Sequence, residues 1–425
     1  MNYFVLVIFV ATYILLIVGK INRLWIVGTA AGLLVLSGAI SLLQAFSFVN
    51  WNVMALFAGM LILADLFIDS NVPAYLAQKL VSRTKTAVWA MLFICGLTSL
   101  ISAFVENVAT VLIIAPIAIS LANNLKINPT PFLISIAVCS NLQGAATLVG
   151  DPPSMILASY AHISFDDFFW FQGHPGIFFA IQAGAIFSFF VLYIIFRKFK
   201  SKVGKIEIIK VNSWLPTILM ISLIASLAIS SIIVPGADYL SGTLALIFAL
   251  IGFSIEVIKK GPVRVRGFLE PLDWSTMLFL LFIFIIVGSL TPAGIIDRII
   301  ELMQSMTGSN VFLAYSSIMW VSVLLSAFID NVPYILMMLP VAAGLATSLG
   351  VQPYPFYFSL LIGASVGGNI TPIGASANIV CIGLAKKKCD QEVTFKQFMK
   401  IGLPFTVSAI VAAWIIGWFF WGNLV

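Results

Sequence analysis

"SAFVENV", residues 102–108, returns as "SAFIDNV" at residues 326–332. Both copies place a carboxylate directly before an asparagine, Glu106–Asn107 and Asp330–Asn331, in the middle of a long apolar stretch. What such a carboxylate costs depends on the solvent around it, and composition identifies that solvent.

The 425 residues are 61% hydrophobic and 9% charged, with a mean hydropathy of +1.11. So much apolar surface has no place in water, and the chain reads as one integral membrane unit without a separate soluble domain. At the bilayer centre a charge costs about 2.5–3.5 kcal/mol on insertion scales, so two carboxylates in register need a reason. The net charge of +6 is accounted for by loop orientation rather than by nucleic acid. Cys95, Cys139, Cys381 and Cys389 lack CxxC or paired spacing, so neither a disulfide framework nor a zinc site is expected. The opening "MNYFVLVIFVATYILLIVGK" has no basic n-region or small-residue cleavage site, and reads as a first spanning helix rather than a removable signal.

Apolar runs near 3–19, 24–44, 51–69, 131–160, 175–196, 213–234, 240–258, 274–292, 356–385 and 402–422 predict ten spans. Two longer stretches, 87–124 and 311–349, carry the polar motif at their middle, which predicts re-entrant hairpins. With the N-terminus outside, the inner loops collect 21 of the 22 basic residues, leaving only Arg298 outside. The inner set includes Lys20, Arg23, Lys205, Lys260, Arg264 and Arg266. This predicts a multi-pass protein of the plasma (inner) membrane with both termini outside.

Shifting the sequence by 224 residues aligns 102–150 with 326–374 at 18 identities in 49 positions. Chance would give roughly one in ten, so a duplicated unit is read. Five spans precede a basic linker and five follow it, so the second copy enters the membrane upside down. The predicted fold class is an all-α polytopic membrane protein, an inverted repeat of two five-span units, each with a re-entrant hairpin and a broken helix. The units are expected at 1–200 and 213–425, with the linker at 201–212.

The second pair of motifs is "SNLQGAATLVGDPPS", residues 140–154, and "ASVGGNITPIGASAN", residues 364–378. Glycine, proline and small hydroxyl residues interrupt a helix there, and open backbone at membrane depth is tolerated only inside protein or against a wet cavity. Half-helix N-termini attract anions, and freed carbonyls coordinate cations. The candidate substrate- and ion-binding residues of the first unit are Ser102, Glu106, Asn107, Asn141, Thr147, Gly150 and Asp151. Those of the second are Ser326, Asp330, Asn331, Asn369, Thr371, Gly374, Ser376 and Asn378. Glu106 and Asp330 are the candidate proton-coupling groups, and Asn107 and Asn331 mark where Na+ would sit. The plainer reading makes the acids hairpin caps and the interruptions structural kinks. Asp65 and Asp69 read as interfacial acids near the inner end of the third span, and His162, His174, Asp166 and Asp167 as an outer loop. Cys95 and Cys139 read as packing residues rather than ligands.

The "SAFxxN" hairpins combined with "SNLQGAATLVGDPPS" and "GGNITPIGASAN" resemble the ArsB/NhaD/P-protein branch of the ion transporter superfamily, over essentially the whole chain. The resemblance implies a scaffold and a transport part, a site between hairpin tips and broken helices, and a homodimer. A soluble ATPase partner is implied by that resemblance alone. The sequence departs from the family at Glu106, where Asp is usual, and at Ser154, where Asn is usual.

The expected function is secondary active transport of a small inorganic ion or oxyanion, coupled to H+ or Na+ and without a cofactor. An arsenite permease of ArsB type leads, because no Lys or Arg is expected in the core and arsenite is mostly the neutral acid near neutral pH. A Na+/H+ antiporter of NhaD type and a sodium-coupled dicarboxylate carrier are the alternatives, and an ion channel is the reading from another class. No G-x-x-x-x-G-K-[ST] or H-E-x-x-H sequence occurs, so neither P-loop ATP use nor a zinc hydrolase is expected.

Overall fold

The computed structural model describes residues 3–204, 208–234, 236, 239–260 and 273–424. Lys205, Arg264, Arg266, the Lys260 side chain and residues 205–207 of the predicted linker lie outside the described residues. Among the described residues the regular structure is helical apart from two-residue strands at Trp170–Phe171 (β1) and His174–Pro175 (β2), which pair antiparallel in the loop after the first broken helix.

Five predicted spans are continuous long helices: α4 (Trp51–Asp69), α10 (Ile177–Phe196), α11 (Leu215–Ile233), α12 (Leu240–Lys260) and α19 (Phe395–Trp421). Three are shorter apolar helices: α1 (Tyr3–Val18), α2 (Arg23–Leu36) and α13 (Trp274–Gly288). The span expected at 24–44 is corrected: α2 stops at Leu36, Gly38 turns at φ +74°, and α3 (Leu42–Phe48) follows as a separate capped helix. Two helices were not expected, α5 (Val72–Ser82) and α14 (Ile295–Thr307). Each lies just before a hairpin, and their polar faces read as loop in a hydropathy scan. α4 and α12 meet through small residues: a Cβ on Gly59 would fall 2.6 Å from the Ala245 carbonyl carbon, and one on Gly242 2.5 Å from Asn52 O. Close backbone approach of this kind is how helices associate where the solvent is as apolar as they are.

The hairpins are α6 (Ala87–Ser102) with α7 (Asn107–Asn124), and α15 (Val311–Ser326) with α16 (Asn331–Leu349). The broken helices are α8 (Thr130–Gly144) with α9 (Pro152–Ala161), and α17 (Tyr354–Gly367) with α18 (Ser376–Cys389). This is the inverted repeat of two five-span units, each with its hairpin and its broken helix.

Each hairpin tip is fastened to the break of its own unit by the same bonds. Thr147 Oγ1 donates to Ala103 O, and 224 positions later Thr371 Oγ1 donates to Ala327 O. Ser102 Oγ lies 2.7 Å from Asn107 Oδ1 and 3.0 Å from Ser140 O. Ser326 Oγ lies 2.6 Å from Asn331 Oδ1 and also donates to Ala364 O. The loops at the breaks are pinched shut by glycine: a Cβ on Gly150 would lie 2.4 Å from Gly144 O, and one on Gly374 2.5 Å from Gly368 O.

Removing a clamp hydroxyl strands a buried carbonyl, at a cost of about 1–3 kcal/mol. Thr147→Val and Thr371→Val should each lower the thermal unfolding midpoint of the detergent-purified protein, and Thr→Ser should restore it. An unchanged midpoint in both valine variants would remove the clamp from the account of the fold.

Candidate functional site

The two hairpin tips open onto one cavity beside the place where the two broken helices pack on each other. Three buried asparagines hold the crossing. Asn141 Nδ2 donates to Asn369 Oδ1 (2.8 Å) and Asn378 Oδ1 (2.9 Å), while Asn369 Nδ2 donates to Val138 O (3.0 Å). Asn378 Nδ2 satisfies Gly368 O and Thr371 O, both at 2.9 Å, which are carbonyls freed by the break. The repeat is not symmetric here. Position 365, the counterpart of Asn141, is serine, and position 375, the counterpart of Asp151, is alanine.

Beside the crossing lies a cavity of about 750 Å³. Hairpin tips supply Glu106, Asn107, Asp330 and Asn331, and the broken helices supply Asn141, Asp151 and Ser376. The opposite wall is α4, through Phe57, Leu61 and Asp65, with Arg23 of α2 and Asp273, Thr276 and Phe279 at the start of α13. At the start of α4, the end of the helix far from Asp65, Asn50 Nδ2 donates to Ser159 Oγ of α9 at 2.7 Å.

Both hairpin acids serve as helix caps and cavity walls at once. Glu106 Oε2 accepts from Ala109 N at 2.9 Å, and Asp330 Oδ1 accepts from Val332 N at 3.2 Å. Asp151 caps α9: its Oδ1 accepts from Ser154 N (3.0 Å) and Ser154 Oγ (2.6 Å), while its buried Oδ2 has no hydrogen-bond partner.

Seven of the fifteen residues expected at the site line the cavity: Glu106, Asn107, Asn141, Asp151, Asp330, Asn331 and Ser376. The other eight, Ser102, Thr147, Gly150, Ser326, Asn369, Thr371, Gly374 and Asn378, lie behind its wall, and their described bonds and close contacts hold the tips and the breaks. Asp65 is on the wall, whereas Asp69 is not among the lining residues. Cys95 and Cys139 are buried as free thiols. Among the described residues no group of three or more His, Cys, Asp or Glu is arranged to hold a metal.

One expectation is overturned. The core was expected to hold no Lys or Arg, yet Arg23 lines the cavity. Its Nη1 donates to Ser376 Oγ (3.3 Å) and its Nη2 to Thr276 Oγ1 (3.0 Å), and the guanidinium lies over the Phe279 ring at 5.3 Å from the centroid. The positive-inside count absorbed Arg23 as a loop residue, but it is the first residue of α2. There was a signal, because a cation at a helix N-terminus opposes the macrodipole and calls for a partner. Thr276 and Asp273 were missed for want of any motif around them.

The CitMHS profile, described as citrate transporter, matches residues 13–363 and 242–423. An uncharacterized transporter of Mycobacterium bovis is 31% identical, with 97% of this chain and 96% of that one covered. The P protein of Sus scrofa is 26% identical over 97% of this chain and 59% of its own length, in agreement with the ArsB/NhaD/P-protein resemblance. Among solved structures, the YdaH transporter of Alcanivorax borkumensis superposes with a TM-score of 0.61 at 14% identity, covering 90% of this chain and 87% of that one. MtrF of Neisseria gonorrhoeae gives 0.53 at 15% identity, covering 88% and 81%. These two likenesses concern the fold. The chain belongs to the CitMHS citrate transporter family of the ion transporter superfamily, and is a multi-pass membrane transporter rather than an enzyme.

Proposed function

We propose that this transporter moves a small anion through the cavity between its two repeats, by secondary active transport coupled to protons at Glu106 and Asp330. The observation that carries the reading is the composition of the cavity lining: two hairpin-tip carboxylates, a guanidinium facing them, and the first turns of the two half-helices α9 and α18. Helix N-termini and Arg23 attract negative charge, while the acids take up or release the coupling ion. A charged anion, carboxylates foremost, fits this wall better than the neutral arsenous acid, whose case rested on a core without fixed positive charge. The description of the family as citrate transporters supports the same class. Arsenite efflux and Na+/H+ exchange remain separate arms of the test.

In the orientation that puts basic loops in the cytoplasm, Arg23, Asp65 and Asp273 stand at the cytoplasmic ends of their helices. The cavity then faces inward, and the Asn50–Ser159 bond lies at the outer ends of α4 and α9. The membrane is the plasma membrane. In a cysteine-free background, Lys202→Cys should react with an impermeant maleimide only from the cytoplasmic side, and Gln172→Cys only from outside. The reverse pattern would invert the orientation.

Everted vesicles loaded with a pH-sensitive dye provide the functional test, with citrate, succinate, arsenite, Na+ and Li+ added separately. A proton signal with citrate or succinate is the expected result. A signal with Na+ or Li+ alone would make the protein a cation–proton antiporter, and one with arsenite alone would restore the oxyanion reading. Glu106→Gln and Asp330→Asn should each reduce coupled flux to background in protein that still elutes monodisperse. Wild-type flux in both would end their coupling role.

A further inference from the structure

We infer that Arg23 is the carboxylate-recognition residue of the cavity, and that its present hydrogen bonds are the ones a bound carboxylate replaces. The inference rests on the anion reading above and gives it a named receptor.

A guanidinium has five N–H donors in a fixed fork that matches the two oxygens of a carboxylate. The described hydrogen bonds of Arg23 go to two neutral hydroxyls, Ser376 and Thr276, and the bond to Ser376 is long at 3.3 Å. Neutral acceptors at this length hold a cation more weakly than an ionised pair, and they do not occupy the fork. Two acids stand near it, and each also accepts a hydrogen bond from its own helix. Asp273 accepts from Thr276, through its N–H at 2.9 Å and through its hydroxyl. Asp330 lies within electrostatic reach of Arg23 and beside Ser376, while its Oδ1 caps α16, so a bound carboxylate would share the guanidinium with it. Phe279 supports one face of the guanidinium and so fixes the plane in which it presents its donors.

Position gives the residue a second consequence. Arg23 and Thr276 belong to α2 and α13, which pack on each other, whereas Ser376 begins α18, which packs on the first hairpin and the first broken helix. The guanidinium therefore reaches across the seam between the α2–α13 pair and the elements that carry the hairpin tips. A carboxylate held by Arg23 sits against the N-terminal turn of α18 at Ser376 and Ala377, both on the cavity wall. It would replace the Arg23–Ser376 bond and lie between the two sets of elements, where binding can bear on their relative movement.

The experiment is uptake of radiolabelled citrate and succinate into proteoliposomes containing the full chain. Arg23→Gln should raise KM at least tenfold. Arg23→Lys, which keeps the charge but loses the fork, should fall between it and the wild type. A purely structural role would lower the maximal rate or the yield and leave KM alone, so the split between KM and kcat decides. If Arg23→Gln does not elute monodisperse, Arg23→Lys carries the test, with a rise of at least threefold in KM expected. Saturable wild-type uptake with KM unchanged in the folded variants overturns this inference and leaves the anion reading standing. Absence of saturable uptake of either anion by the wild type overturns both.

Discussion

The constraint behind this structure is that no backbone N–H or C=O may be left open at membrane depth. Two helices are cut at Gly144–Asp151 and Gly367–Ser376, and two hairpins turn at 103–106 and 327–330. Every one of those interruptions frees carbonyls and amides. The fold brings each turn against a break, so that each supplies what the other lacks: Thr147 bonds the carbonyl of Ala103, Thr371 that of Ala327, and Asn378 two carbonyls of its own break. The glycines at 144, 150, 368 and 374 are there because a Cβ would hold the partners apart.

The repeat supplies the same clamp twice, but the two halves diverge where they meet. Asn141 faces Asn369 and Asn378 across the crossing, while its own counterpart is Ser365. Asp151 caps α9 and belongs to the cavity lining, and its counterpart is Ala375. Duplication accounts for the framework, and divergence at a few positions accounts for a cavity with a definite chemistry. The acids at the two tips survive on both sides because each caps a helix as well as facing the cavity.

Much of the architecture was legible because it is periodic or repeated. The 224-residue offset locates both hairpins and both breaks, since a shared tip sequence must make the same local bonds wherever it falls. The short helices α5 and α14 were not legible, because their half-apolar faces read as loop until a neighbour covers them. At the site, side-chain type singled out polar residues near the motifs without saying which way each would point. That is why Thr147, Thr371 and Asn378, which fasten the wall, were grouped with Glu106, Asn141 and Ser376, which line it.

The sequence by itself determined that the chain lives in lipid, that it is a doubled and inverted unit, and which four segments break the regular backbone. Hydropathy, odd span number and internal identity are properties of the chain alone. Only the tertiary structure decided what stands opposite those segments. Arg23 lies 307 residues before Asp330 in the chain and shares no motif with it, yet packing of α2 on α13 brings its guanidinium to Ser376 and Thr276. A cavity is a relation between distant elements, and the field inside it is set by groups that no local pattern connects.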